Sequence, residues 1–278
     1  MRRAMQIAGL VLRGWASAGF AEITSVVASA GGGRLMGDYF MKFLRPLSVC
    51  ITLALASCVG GGGSTRSEYG DRAGPKGFTT VVIDAGHGGK DSGAPGRLAR
   101  MPEKQVALAI AKRVQARLSP QFRTVMTRSS DRFIELDDRA AFASRYGNGV
   151  VVSIHLNSGP SRLCGPETYY WRTDSYSLAR RVQRNLSVVA PYENGNRGLV
   201  RRRLRLTRNP AIPGILVECG YLSNGREASL LASAGYQDRI AGAIAQAVSD
   251  QRAYGDAGMG PLPKPIYAPI SRATDRRE

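Results

Sequence analysis

Short apolar runs that end in glycine-rich or polar turns alternate along this chain with stretches whose apolar residues recur every three or four positions. Val81-Val82-Ile83 passes through Asp84 into Gly86-His87-Gly88-Gly89, and Val150-Val151-Val152-Ser153-Ile154 passes into His155. Runs of this kind read as buried strands, here about Thr79–Asp84 and Gly149–His155. Arg123–Thr127, the aromatic run Gly165–Trp171 and Ile212–Val217 read as further strands. Between them, Val106, Ile110, Val114 and Leu118 form one apolar stripe behind Pro102-Glu103. Proline suits a first helical turn, and an acidic residue there faces the positive end of the helix dipole. Leu136–Tyr146, stopped by Gly147, together with Ser175–Val189 and the Ala-rich Ile240–Val248, read as helices. Strands alternating with helices predict an α/β fold. We expect a single three-layer domain over residues 77–253, with a central, mostly parallel or mixed sheet flanked by helices.

The two ends of the chain break this pattern. Residues 1–40 show no sustained period and read as an over-extended gene start. Met41-Lys42-Phe43-Leu44-Arg45 then looks like the cationic start of a signal peptide, and Pro46–Ala54 like its apolar core. Leu55-Ala56-Ser57-Cys58 resembles the lipobox of bacterial lipoproteins, in which the cysteine is acylated and becomes the mature N-terminus. The alternative, a single-pass anchor, needs roughly 20 apolar residues, and this run is shorter. Residues 41–57 are therefore expected to be a signal peptide, with Cys58 as the lipidation site. Gly60–Gly63 and the polar residues after them make 58–76 a flexible tether. Such an anchor implies a periplasmic protein held to a membrane. Resemblance to lipoproteins of two-membraned bacteria points to the outer one, since nothing after Cys58 resembles an aspartate retention signal. Proline and charge dominate 254–278, which reads as a disordered tail.

Composition adds one constraint. Of 278 residues 43% are hydrophobic, enough for one good core. The formal net charge of +18 favours an anionic partner: nucleic acid, anionic lipid or anionic wall polymer. A GC-rich genome writing surface cations as arginine gives the same number. No RNA-binding module or DNA-reading zinc finger is present, so nucleic acid is not an expected partner. A monomer is expected.

The candidate chemistry lies at the strand ends. The chain's two histidines, His87 and His155, both stand there, Glu103 opens a helix, and Glu218 follows the last apolar run. Two imidazoles and one carboxylate are the protein ligand set of hydrolytic zinc sites, whose fourth position stays open for water. Zinc lowers that water's pKa to about 7, and a second carboxylate can carry its proton to the leaving amine. We assign His87, Glu103 and His155 as metal ligands and Glu218 as general base and acid. Taken alone, Glu103 reads equally as a helix N-terminal charge. The ligand spacing matches no short-range metal motif. Asn157 and Glu167 are candidates for orienting the ligands or the substrate, or are plain hydrogen-bonding groups. Arg201-Arg202-Arg203 reads as a grip on an anionic peptide or as a solvated face. Cys50 lies in the signal segment. Cys164 and Cys219 form a disulfide or stay free; Cys219 suits packing beneath the site.

Several blocks together resemble a known family. They are Ile83–Gly89 with Asp91 and Gly93-Ala94, Glu103-Lys104, Ser153–Asn157, Gly165–Tyr170, Arg197-Gly198-Leu199 and Val217–Asn224. In this order they resemble the zinc-dependent N-acetylmuramoyl-L-alanine amidases of the cell-division type, amidase family 3. The resemblance implies a peptidoglycan hydrolase that cuts the amide between the lactyl group of N-acetylmuramic acid and L-alanine of the stem peptide. The family's ligand pattern falls on His87, Glu103 and His155, and its catalytic glutamate on Glu218. Leu156 stands where the family often has alanine, and Cys219-Gly220-Tyr221 where it often has Thr-Gly-Phe. Some members carry a long insertion after the second histidine that folds as a helix plugging the site. The short stretch from His155 to Gly165 leaves no room for it, so no plug-displacing activator is expected. Two other readings remain: a zinc peptidase or deacetylase acting on another wall amide, and a wall-binding lipoprotein without turnover.

Overall fold

The computed structural model describes residues 70–95, 101–192 and 195–274; the expected gene start, signal peptide, Cys58 and first part of the tether lie outside the described residues. Among the described residues six strands form one sheet: β1 (Thr80–Ala85), β2 (Arg123–Met126), β3 (Gly149–Asn157), β4 (Glu167–Tyr170), β5 (Gly198–Arg201) and β6 (Gly214–Tyr221). Their order is β2-β1-β3-β6-β4-β5. The first four in that order are parallel; β4 runs antiparallel to β6 and parallel to β5. The helices are α1 (Glu103–Leu118), α2 (Leu136–Ser144), α3 (Tyr176–Val189), α4 (Arg205–Arg208), α5 (Gly225–Leu231) and α6 (Ala234–Tyr254).

Strand periodicity builds three layers. Side chains alternate between the faces of a strand, and β1 sends Val81 and Ile83 to one side and Val82 to the other. On the first side they meet Val106, Ile110 and Val114 of α1, Leu178 and Val182 of α3, and Ile240 and Ile244 of α6. On the second side Val82 and Val151 pack with Ala140 and Ala143 of α2 and Leu206 of α4. With both faces covered, β1 and the first part of β3 are buried throughout, which is why they read as unbroken apolar runs. No helix among the described residues is long and apolar enough to cross a membrane.

The ends of the domain depart from expectation. Residues 70–76 are packed rather than tethered: Gly70 O accepts from Asp174 N, Gly74 N donates to Asp256 Oδ2, and Gly77 N donates to Arg252 O. Beyond α6, where a disordered tail was expected, the chain forms a strap pinned by arginines. Arg181 donates to the carbonyls of Gly255 and Ala257, Arg201 to Lys264 O at 2.7 Å, Arg203 to Pro269 O, and Arg208 to Ala268 O at 2.8 Å. Asn209 and Ser271 exchange two further bonds, and Ser271 is buried. A proline-rich extended segment cannot satisfy its own carbonyls; guanidinium donors supplied from elsewhere in the fold do so here. Arg201 and Arg203 thus hold the strap rather than standing as a merely solvated face.

Candidate metal centre

The turn after β1 is built from buried charge. Asp84 is fully buried, and its carboxylate accepts from Thr127 Oγ1 at 2.6 Å, Ser153 Oγ at 2.6 Å and Arg139 Nη1 at 2.8 Å. Burial alone would raise its pKa; Arg139 and the two hydroxyls outweigh that and hold it below the ordinary carboxylate value. Arg139 also donates to Ala85 O at 2.7 Å and His87 O at 2.6 Å. Arg128 donates to Ala85 O at 2.9 Å and Gly86 O at 2.7 Å. Three successive carbonyls are therefore gripped by two buried guanidiniums. That grip holds His87 at φ 59°, the left-handed region that side chains other than glycine rarely occupy.

This conformation aims the imidazole inward. His87 Nε2 lies 3.0 Å from Glu103 Oε1, and His155 Nδ1 lies 3.0 Å from the same oxygen. The ligand atoms of His87, Glu103 and His155 all fall within 4.8 Å of one another. Behind His87, Nδ1 meets Asp91 Oδ2 at 2.7 Å, the carboxylate–histidine pairing that fixes ring orientation and tautomer in metal sites. Glu103, the first residue of α1 and 4% exposed, is no plain helix-end charge. Its oxygens accept from Ala94 N at 2.9 Å and Leu156 N at 3.0 Å. Two glycines make room: a Cβ on Gly86 would sit 2.4 Å from the His155 ring, and one on Gly93 would sit 2.5 Å from Glu103 Oε2.

Electrostatics favour a cation among these atoms. Burial would lower the His155 pKa, but the hydrogen-bonded Glu103 carboxylate raises it to about 9. Glu103 itself is held well below the carboxylate range: burial opposes this, and the two histidines overcome it. A divalent cation competes for the position that binds this proton.

Glu218 stands beside the ligands. His155 and Glu218 are register partners on β3 and β6, and Glu218 also pairs with Glu167 across β4. A β-bulge follows immediately: Asn157 pairs with Tyr221, so β6 spends an extra residue there. Bulges beside active sites re-aim side chains in this way. Glu218 Oε2 is sealed from solvent yet has no hydrogen-bond partner among the described residues. Burial pushes this carboxyl up to about 7; the histidines pull it down, and Glu103 and Glu167 push it further up. A buried, unpartnered carboxylate oxygen next to two imidazoles and a carboxylate is an acceptor awaiting a donor, which suits a metal site that also holds water.

The comparisons with known proteins agree with this geometry. The N-acetylmuramoyl-L-alanine amidase family model matches residues 81–250, more than half of the chain. The chain belongs to that family. Against the uncharacterized protein YqiI of Bacillus subtilis it is 34% identical over 210 residues, 73% of this chain and 95% of that protein. Against the N-acetylmuramoyl-L-alanine amidase LytC of the same organism it is 36% identical over 171 residues, 59% of this chain but 34% of that longer protein. Among solved structures, the isolated catalytic domain of the amidase CwlV from Bacillus (Paenibacillus) polymyxa var. colistinus superposes with a TM-score of 0.58 at 38% identity. It covers 62% of this chain and 97% of that one.

Within this amidase domain, the four residues singled out from sequence come together, although His155 and Glu218 lie inside their strands rather than past the ends. Asn157 and Glu167 bond each other at 3.1 Å, and Tyr169 Oη donates to Glu167 Oε2 at 2.8 Å. They form a polar wall next to Glu218, which pairs with Glu167 across β4 and β6. Cys164 and Cys219 are free; Cys219 is buried in the main core. The stretch from Ser158 to Pro166 is an irregular loop with one turn and no helix. Sequence reasoning missed Asp84, Asp91, Arg128 and Arg139. Only Asp91 left a local trace, four residues after His87; the arginines reach the turn from distant elements.

Proposed function

We propose that the chain is a zinc-dependent N-acetylmuramoyl-L-alanine amidase acting on peptidoglycan, with His87, Glu103 and His155 holding the ion and Glu218 as the proton carrier. The unpartnered Glu218 Oε2, at a position paired with a metal-ligand histidine, carries the reading. Two nitrogens and one carboxylate oxygen suit zinc by donor type. When bound, zinc supplies Lewis acidity that brings a water's pKa to about 7. Glu218 accepts the proton of the attacking water as the new carbon–oxygen bond forms at the lactyl carbonyl. It then delivers that proton to the alanine nitrogen as the carbon–nitrogen bond breaks. The products are a lactyl carboxylate on the glycan and a peptide with a free N-terminal alanine. Lipidation at Cys58 and a periplasmic, outer-membrane site belong to the same proposal, as does activity without a plug-displacing activator.

Digestion of purified peptidoglycan followed by mass analysis tests the bond cleaved: released peptides should begin with alanine. Products cut within the stem, or deacetylated glycan, would place the enzyme in another class of wall hydrolase. Chelation should abolish turnover and zinc restore it. Glu218→Gln should bind zinc as the native protein does and turn over at least a hundredfold more slowly; undiminished turnover would remove Glu218 from the reaction.

A further inference from the structure

The strap after α6 does more than finish the fold. Pinned from beneath by the arginines described above, it leaves Ile266, Tyr267 and Ile270 exposed at 46%, 65% and 45%. The cations Lys264 and Arg272 flank this run and are also exposed. Tying down its carbonyls while displaying branched and aromatic side chains is a costly arrangement for a segment facing only water. Arg201, directly beneath Lys264, donates to the carbonyls of Trp171 and Lys264, neutral acceptors that leave its positive charge uncancelled.

Position sharpens the point. The strap crosses the end of the sheet where β6 begins and β4 and β5 finish. The metal centre lies at the other end, where β1 and β3 finish. The described chain also begins at the strap: Gly70 O accepts from Asp174 N, and Tyr267 Oη lies 3.4 Å from Asp71 Oδ2. The first described residues therefore lie at this pole. Apolar and aromatic side chains set among cations are the make-up of surfaces that rest at the interface of an anionic bilayer.

We propose that this pole is a membrane-contact surface that settles on anionic phospholipid headgroups and so turns the metal centre away from the bilayer. The contact is separate from catalysis and from acylation at Cys58. It is tested with residues 66–278, which form one compact unit; the catalytic domain of CwlV, solved in isolation, shows that such a domain folds without flanking modules. Sedimentation with phosphatidylglycerol-containing vesicles should carry the protein down, and with pure phosphatidylcholine vesicles should not. Lys264→Gln should weaken partitioning about fivefold, the value of one cation at the surface. Ile266→Ser with Tyr267→Ser and Ile270→Ser should weaken it as well. Both variants should cleave soluble muropeptides at the native rate, which certifies their fold. Equal binding to both vesicle types, binding unchanged in the variants, or a native dimer that the apolar variant dissociates would each overturn the proposal; the last would show a second copy to be the occupant.

Discussion

Replacing Arg139 with methionine tests the idea that buried charge holds the first ligand in place. The substitution keeps much of the side chain's volume but deletes the cation facing Asp84, which is fully buried, at 2.8 Å. It also removes the donors to the carbonyls of Ala85 and His87. Asp84 keeps the two hydroxyls of Thr127 and Ser153, which cannot neutralise it. Breaking a buried ion pair from one side costs about 3–5 kcal/mol. At about 2–4 °C per kcal/mol for a domain of this size, thermal unfolding should fall by about 6–20 °C. Asp84→Asn combined with Arg139→Met should recover part of that loss, because no charge is then stranded. The second consequence separates positioning from mere stability. Without the bond to its carbonyl, His87 should leave its left-handed conformation in a fraction of molecules. Zinc affinity, read by competition with a chromophoric chelator well below the unfolding temperature, should drop about 10- to 100-fold. A folded Arg139→Met protein with native zinc affinity would refute the positioning argument. An unfolding temperature within a degree of native would refute the energetic one.

Three shorter predictions follow from the same site. Gly86→Ala sets a methyl 2.4 Å from the His155 ring and should cost most of the zinc affinity in isothermal titration while leaving far-ultraviolet circular dichroism intact. Asp91→Ala frees His87 Nδ1 and should weaken zinc about 10- to 100-fold, with Asp91→Asn intermediate because an amide oxygen still accepts the bond. The depressed pKa of Asp84 means that the unfolded chain binds its proton first as pH falls. Its contribution to stability is thus present above the unfolded carboxylate value and is lost on descending through the folded one. Urea midpoints measured from pH 6 down to pH 2 should show this acid limb, and it should flatten in Asp84→Asn with Arg139→Met; an unchanged limb would assign acid unfolding to other carboxylates.

The parts of this molecule that were legible in the sequence share one property: their partners are nearby in sequence or dictated by periodicity. The buried runs of β1 and β3, the four-residue stripe of α1, and the histidines following those runs are local signals. The parallel sheet converts them directly into a site, because Ala85 pairs with Ile154 and His155 with Glu218. What periodicity could not supply was the clamp on the His87 turn. Arg128 and Arg139 sit 43 and 52 positions from the carbonyls of Ala85 and His87, and an arginine in a sequence looks the same whether solvated or buried. The α5 helix and the bulge after Glu218 left only faint marks: Asn224, whose side chain caps the helix at Glu227 N, and Gly220 inside the strand.

Charge was where composition misled most. A net charge of +18 suggests a solvated cationic coat, yet Arg128, Arg172 and Arg208 rank among the largest fully buried side chains. They satisfy carbonyls that irregular backbone leaves unpaired, in the turn after β1, at Pro210 after α4 and in the strap at Ala268, and Arg172 also pairs with the Asp174 carboxylate at 2.6 Å. Arginine suits this role because its rigid planar fork stays charged and reaches several acceptors at once, which a lysine cannot match. A carbonyl acceptor also leaves the positive charge standing. Arg201, which donates to two carbonyls, therefore orders the proline-rich strap and keeps a positive charge beneath it, so the structural use of arginine and its attraction for an anionic surface need not compete.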